Sequence, residues 1–336
     1  MKKKILITGI TGMVGSHLLD YLIKNTNDEI HGLIRWRSNL ENIEHHINLI
    51  NKKKRFFLHY GDLTDNKSLD EIIKKIKPQH VYHLAAQSYP KTSFDIPIDT
   101  YETNILGTSK LLEAIKNFSP KSLVHVCSSS EVFGRVPKKN LPIDENCTFH
   151  PASPYAISKI GTDCVARFYY EAYKLNIFIT RMFTHTGPRR GDVFAESSFA
   201  KQIAMAEVGM IPPVIKVGNL NSLRTIADVR DAVRAYYMLL NKKPTPGEVY
   251  NIGGEYVCKV GDVLNFLINL STKKITYKID KSRLRPIDAD LQVPNTKKFR
   301  KHTKWKPQIK FEKTMKDLLE YWRYKVQKQK KTYLQR

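Results

Sequence analysis

Lys4-Ile5-Leu6-Ile7-Thr8-Gly9-Ile10-Thr11-Gly12-Met13-Val14-Gly15-Ser16-His17-Leu18-Leu19 sets the architecture of this chain. Ile5 to Ile7 form a continuous apolar run of the kind a buried strand uses. Glycines then recur at every third position (GxxGxxG), and the stretch continues at helical spacing through Leu18, Leu19 and Leu22. Glycines in such a turn let the backbone approach a pyrophosphate. The helix that follows adds unpaired N–H groups and the positive end of its dipole. A glycine triplet alone also fits an ordinary strand–helix turn; its place between a strand and a helix is what points to a dinucleotide. Gly9, Thr11, Gly12, Met13, Val14 and Gly15 are the expected contacts.

Outward from that turn the same unit repeats. EIHGLIRW (29–36), RFFLHYGDLTD (55–65), HVYHLAA (80–86), KSLVHVCSSS (121–130) and NIFITRMF (176–183) read as strands. SLDEIIKKIKP (68–78), TNILGTSKLLEAIKN (103–117) and PYAISKIGTDCVARFYYEAY (154–173) read as the helices between them. Strands alternating with helices predict an α/β fold, a doubly wound parallel sheet of the Rossmann type, over residues 1–187. Past residue 188, Pro, Gly and Arg gather in HTGPRRGDVF and the elements shorten. Residues 188–325 therefore read as a smaller C-terminal α/β substrate lobe, with some chain returning to the sheet. Residues 326–336 read as a mostly polar tail.

Composition narrows the function. No apolar run reaches the roughly 18 residues of a membrane span, and the apolar start runs into glycines rather than a cleavage site. The four cysteines form no CxxC pair, and the His45-His46 pair has no HExxH or Cys/His cluster around it. These features predict reduced thiols, a cytoplasmic protein and no metal. The net charge of +24 is spread over scattered lysines without an aromatic-interleaved motif. It reads as solvated surface that can steer an anionic ligand, with neither nucleic acid nor membrane as partner.

The end of the second strand bears on the cofactor. NAD sites place an acid there for the ribose 2′-hydroxyl, whereas an arginine accommodates the 2′-phosphate of NADP. This chain reads Arg35-Trp36-Arg37-Ser38 with no carboxylate. NADP is the first expectation and NAD the second. Asp62 and Leu63, after the third strand, sit where such folds meet the adenine.

Tyr155-Ala156-Ile157-Ser158-Lys159 places a phenol and an amine four residues apart, hence on one helix face. A nearby ammonium favours the phenolate, so Tyr155 is expected to serve as a base near neutral pH. Upstream, Ser128-Ser129-Ser130-Glu131 ends the fifth strand at the edge where open α/β sheets bind ligands. Turn chemistry alone explains a serine cluster; its order with the glycine turn and the Tyr/Lys pair favours catalysis.

TGITGMVG, Ala85 to Ser88 (AAQS), SSSEVFG, PYAISK, Arg189 to Gly191 (RRG), Gly218 to Arg224 (GNLNSLR), LRPID (284–288) and WKP (305–307) together resemble the extended short-chain dehydrogenases that act on nucleotide sugars. Within them the chain is most similar to the GDP-mannose 4,6-dehydratases and the related GDP-heptose dehydratases and GDP-4-keto-6-deoxymannose reductases. The resemblance implies Ser129, Glu131, Tyr155 and Lys159 as the catalytic set. It adds Leu84, Ala85 and Ala86 to the cofactor site. Ser88, Ser129, Ser130, Glu131, Thr184, Arg189, Arg190, Arg224, Arg285 and Asp288 become substrate contacts, with the arginines near the GDP diphosphate. Thr184 stands where many relatives carry asparagine. Asp288 replaces the glutamate common in dehydratases, a feature that resembles the reductases.

The activity so implied is a GDP-sugar 4,6-dehydratase with GDP-mannose or GDP-manno-heptose as substrate, assembled as a homodimer or homotetramer. A C4 reductase, dehydrogenase or epimerase on the same substrates is the alternative. A catalytically silent basic binding protein is the third reading, opposed by the intact Tyr155, Lys159 and Ser129.

Overall fold

The computed structural model describes residues 2–51, 55–242 and 245–334. Its strands are β1 (Lys4–Thr8), β2 (Glu29–Ile34), β3 (Phe56–Tyr60), β4 (His80–His83), β5 (Leu123–Ser129), β6 (Asn176–Met182), β7 (His185–Thr186), β8 (Val214–Val217), β9 (Leu223–Asp228), β10 (Val249–Ile252), β11 (Tyr256–Lys259), β12 (Thr276–Ile279) and β13 (Leu291–Gln292). Seven of them form one sheet in the order β10-β6-β5-β4-β1-β2-β3, every neighbouring pair parallel. The doubly wound sheet expected from the alternating pattern is present.

β1 lies inside the sheet, between β4 and β2, because it can be buried on both faces. Ile5, Leu6 and Ile7 are at most 1% exposed, and a parallel strand covered by helices on both sides reads as such a continuous apolar run. On one face Leu18, Leu19 and Leu22 of the Met13–Asn25 helix pack with Tyr236, Leu239 and Leu240 of the Val229–Asn241 helix. On the other, Leu69, Ile72, Ile73 and Ile76 meet Leu111, Leu112 and Ile115. The connections put all five leading strand ends on one edge, where the glycine turn, the 84–88 segment and the 128–131 segment emerge together.

The chain that returns to the sheet is substantial. The Val229–Asn241 helix and β10 both belong to this body, as do Phe299 and Trp305 in its core. The smaller lobe contains β9 flanked by β11 and β13, with β7 also on β9, and the β8–β12 pair. Its separate core joins Phe199, Ile203, Ile215, Val217, Leu264 and Leu267 to the last helix. That helix, Phe311–Leu334, takes in residues 326–334 and corrects their reading as a tail; residues 335 and 336 lie outside the described residues. Val326 is fully buried, extending the helical stripe Phe311, Met315, Leu318, Leu319 and Trp322 by one more turn. Among the described residues no helix is long and apolar enough to cross a membrane.

Candidate active site

At the end of β1 the chain turns on Gly9, whose φ of +71° is a left-handed conformation that suits glycine. A Cβ on Gly9 would lie 2.8 Å from the Ala85 nitrogen, and one on Gly15 only 2.2 Å from the Gly9 carbonyl oxygen. The turn is thus closed tightly enough to present backbone rather than side chains. Gly12 caps the Met13–Asn25 helix without any side-chain cap, which leaves first-turn N–H groups for an anion. The Thr8 hydroxyl accepts from the Leu84 and Ala85 nitrogens, each at 3.1 Å. It therefore locks the 84–86 segment beside the turn.

These residues line a cleft of about 1030 Å³ that runs along the sheet edge and under the lobe. Such a volume is large for a single small-ligand pocket and suits two ligands laid end to end. The glycine cradle, the free helix N-terminus and Arg35 on the wall fit a dinucleotide with a phosphate at its ribose. Asp62 and Leu63 line the same end. Arg37 does not. Its neighbours Arg35 and Ser38 close a tight turn, with Ser38 N–H donating to the Arg35 carbonyl at 3.0 Å. Arg37 is exposed on the outside of that turn, and Ser38 and Asn42 face the cleft instead. Asn42 Nδ2 donates to the Thr11 carbonyl at 2.9 Å and ties this loop to the glycine turn.

The Pro154–Tyr173 helix starts at Ser153, whose hydroxyl accepts from Ala156 N–H, with proline at the first position. The start of the helix places Tyr155 and Lys159 on the face turned to β5. Both are buried and both line the cleft. Ser93 Oγ accepts from the Tyr155 N–H at 2.9 Å, and Asn104 Nδ2 donates to Ser158 Oγ at 2.8 Å. The helix is therefore anchored on both sides of the pair. Lys159 Nζ donates to the Cys127 carbonyl at 2.8 Å, at the end of β5. Burial pushes the Tyr155 phenol well above its ordinary pKa, with the Ser129 hydroxyl pulling it back down. Burial lowers Lys159. Tyr155 and Lys159 share the expected helix face and line the same cleft, and desolvation is the largest influence on the phenol.

Ser129 ends β5 and its Oγ accepts from the Glu131 N–H at 3.2 Å. That bond orders the short turn that carries Glu131. The Glu131 carboxylate faces Arg285 of the lobe at 3.8 Å. Arg285 and Arg224 each approach Asp288 Oδ1 at 3.6 Å, and Asn219 Nδ2 donates to Asp288 Oδ2 at 3.1 Å. Asp288 therefore braces two arginines against the cleft. Burial lowers the pKa of Arg224, opposed first by Glu131 and then by Asp288. Lys91 of the larger body bridges to the Ser282 carbonyl of the lobe.

Ser88, Ser130, Thr184, Arg189 and Arg190 also line the cleft. Arg189 sits at φ +68° in the Gly187–Arg190 turn, a strained position for a residue other than glycine. Its guanidinium pairs with Asp20 at 2.8 Å, while the residue still lines the cleft. Asp20 also accepts from His45 Nε2 at 2.8 Å and His46 Nε2 at 2.7 Å. Burial works against the Asp20 carboxylate, yet His46 and Arg189 hold its pKa well below the usual range. Asp20, His45 and His46 bring three ligand atoms within 4.8 Å of one another, a cluster that sequence spacing did not reveal. Sequence reading also missed Glu196, Asn219, His185 and Arg283, all on the cleft wall. Asn219, His185 and Arg283 lie in irregular or short segments with no periodicity to single them out, and Glu196 opens the Ala195–Glu207 helix.

A family model described as GDP-mannose 4,6 dehydratase matches residues 6–318. The chain belongs to this family. It is 32% identical to a GDP-mannose 4,6 dehydratase of Dictyostelium discoideum over 95% of both chains. To a GDP-mannose 4,6 dehydratase 2 of Arabidopsis thaliana it is 36% identical, over 95% of this chain and 86% of that one. Among solved structures, RMD from Pseudomonas aeruginosa complexed with NADPH superposes with a TM-score of 0.82 at 27% identity, covering 96% of this chain and all of that one. A UDP-glucuronic acid 4-epimerase from Bacillus cereus, complexed with UDP-glucuronic acid and NAD, gives 0.84 at 26% identity, covering 96% and 99%. As a family member and an extended short-chain dehydrogenase/reductase, the chain is an enzyme whose fold matches those of nucleotide-sugar enzymes.

Proposed function

We propose that this enzyme is a GDP-sugar 4,6-dehydratase acting on GDP-mannose or GDP-manno-heptose with tightly held NADP(H). The observation that carries the reading is one cleft that holds the glycine turn, Ser129, Glu131, Tyr155 and Lys159 together. The glycine turn, the first turn of the Met13–Asn25 helix and Arg35 would hold the dinucleotide phosphates. Asp62, Leu63 and Leu84 to Ala86 would flank the adenine and nicotinamide ends. When bound, the nicotinamide accepts hydride from C4 of the sugar and returns it at C6, so no external oxidant is consumed.

The side chains supply the rest. Tyr155 takes the proton of the C4 hydroxyl, with Ser129 hydrogen-bonding the same oxygen. Buried Lys159, held on the Cys127 carbonyl, orients the site. Its positive charge favours the phenolate form of Tyr155 that takes this proton. Oxidation at C4 acidifies C5, and Glu131 removes that proton as general base. The same carboxyl then donates to the C6 hydroxyl as it leaves as water, and the proton held by Tyr155 goes to C5 as hydride returns at C6. Arg224 and Arg285, braced by Asp288, would take the diphosphate by charge-assisted hydrogen bonds. The reaction uses a reduced cytoplasmic setting and a homodimer or homotetramer in this reading.

Incubating the purified protein with GDP-mannose and GDP-manno-heptose, and following product mass, is the direct test. Loss of one water without added cofactor is the expected result. Turnover that requires stoichiometric NADPH or NADP moves the assignment to a C4 reductase or dehydrogenase. Glu131→Gln is expected to keep cofactor binding and lose water elimination by about 10²–10⁴-fold; full activity in this variant removes Glu131 from the chemistry.

A further inference from the structure

Asp20, on the Met13–Asn25 helix, meets His45 and His46 of the short Glu41–His46 helix that follows β2. None of the three lines the cleft. His45 Nε2 lies 2.8 Å and His46 Nε2 2.7 Å from the same oxygen, Asp20 Oδ1. The two imidazole centroids are 4.1 Å apart. Successive residues of a helix point in different directions, yet these neighbours bring the same nitrogen to one point. One imidazole suffices to pair that oxygen. The second completes a set of two nitrogens and an oxygen, all within 4.8 Å of one another.

Two imidazoles and a carboxylate are a donor set that suits zinc and its neighbours among the transition metals, whereas magnesium and calcium take oxygen ligands. Ligand atoms around a tetrahedral zinc stand about 3.3 Å apart, so each ring has to withdraw from Oδ1 by about half an ångström. His45 has room to do so, because its side chain is 46% exposed, and that exposure gives water access to the remaining coordination positions. The second carboxylate oxygen is held from behind. Asp20 Oδ2 lies 2.8 Å from Arg189 Nη1 and 4.0 Å from His17 Nδ1, and His17 Nε2 is engaged at the Pro188 carbonyl. Ligating carboxylates normally have such an outer partner. The Arg189 charge also opposes a cation, so the site is expected to be weaker than a four-ligand structural zinc site.

We propose that Asp20, His45 and His46 bind one divalent transition-metal ion of the zinc class. Each imidazole coordinates as a neutral ring through Nε2, with its proton on Nδ1. The ion joins the Glu41–His46 segment to the Met13–Asn25 helix. Asn42 of that segment donates to the Thr11 carbonyl and lines the cleft. The ion is therefore a clamp on the loop beside the glycine turn, remote from Tyr155 and Glu131 in role. Its ligands are 25 and 26 residues apart on separate elements, a spacing that belongs to no metal motif and that led the sequence reading to expect no metal.

Zn²⁺ uptake by the untagged, metal-stripped full chain at neutral pH, measured in competition with a chromogenic chelator, tests the assignment. A saturable first equivalent of Zn²⁺ per chain is expected, held at least about 100-fold more tightly than Mg²⁺. His45→Ala and His46→Ala are each expected to weaken it by at least about 10- to 100-fold. His45 is the exposed partner, so its variant is expected to keep the circular dichroism of the unmodified protein and to separate loss of the ion from loss of the fold. Co²⁺ in place of Zn²⁺ is expected to give visible absorption bands that disappear in His45→Ala. Zn²⁺ held as tightly by both variants as by the unmodified protein overturns the proposal, because the ion then sits elsewhere. So does the uptake of several weak equivalents with no saturable first one, which is the behaviour of scattered surface histidines.

Discussion

The sheet-edge wall of the cleft and the lobe wall carry their chemistry in different ways. On the sheet edge, Gly9, Ser129, Tyr155 and Lys159 are placed by backbone hydrogen bonds, helix caps and a strand buried on both faces. Lys159 reaches a main-chain carbonyl, Tyr155 is anchored through its own N–H, and Ser129 caps a turn. On the lobe side, Arg224, Arg285, Arg190 and Glu196 are placed by one another and by Asp288, at 3.4–3.8 Å. The first wall is a fixed frame in which single groups do chemistry. The second is a set of opposed charges held farther apart than a charge-assisted hydrogen bond. The two walls thus differ in how firmly each side chain is fixed.

The sharpest way to break that contrast is at the phenol. Tyr155→Phe is expected to lower turnover by about 10³-fold and to leave nucleotide-sugar affinity nearly unchanged, as single-turnover kinetics and calorimetry can show. A loss of affinity equal to the loss of rate would make Tyr155 part of recognition. Next in size is the backbone frame. Gly15→Ala places a Cβ 2.2 Å from a carbonyl oxygen, so the turn must open. Loss of about 2–4 kcal/mol in urea unfolding, together with loss of copurified dinucleotide, is expected.

The frame also predicts a pH response. Burial pushes His83 and His125 down to about 3, below the unfolded value of about 6.5. Between those values the unfolded chain binds more protons, so stability falls as pH drops below about 6.5 and rises as pH is raised again. The two side chains together account for about 2–4 kcal/mol lost between pH 6.5 and 5. A urea midpoint that is flat over this range would show that these histidines are not buried as neutral groups. The smallest effect is expected on the lobe wall. Arg285→Ala should raise KM for the GDP-sugar about tenfold with a smaller change in kcat, because a charge-assisted contact common to ground and transition states is lost. A fall in kcat alone would instead tie Arg285 to the chemistry of Glu131.

Legibility in the sequence follows the same division. The glycine spacing, the YxxxK pair and the serine-glutamate segment are local patterns whose geometry a strand or helix enforces. They came together in one cleft as their order along the sheet implied. Arg35 and Arg37 looked equivalent on paper, but a tight turn left only Arg35 on the wall. Arg189 looked like a free phosphate ligand, and Asp20 on a distant helix holds it. The 326–336 segment looked like a polar tail because its buried Val326 continues a stripe begun fifteen residues earlier.

By itself the sequence determined the doubly wound sheet, the glycine turn and the grouping of Ser129, Glu131, Tyr155 and Lys159 on one cleft, since each depends on side-chain period and short-range backbone geometry. Only the tertiary structure decided which charges of residues 188–290 meet, that Glu196 opposes Arg190, and that the last helix closes the lobe core. Those contacts join residues far apart in the chain, and their energies depend on burial and distance, which no local spacing encodes.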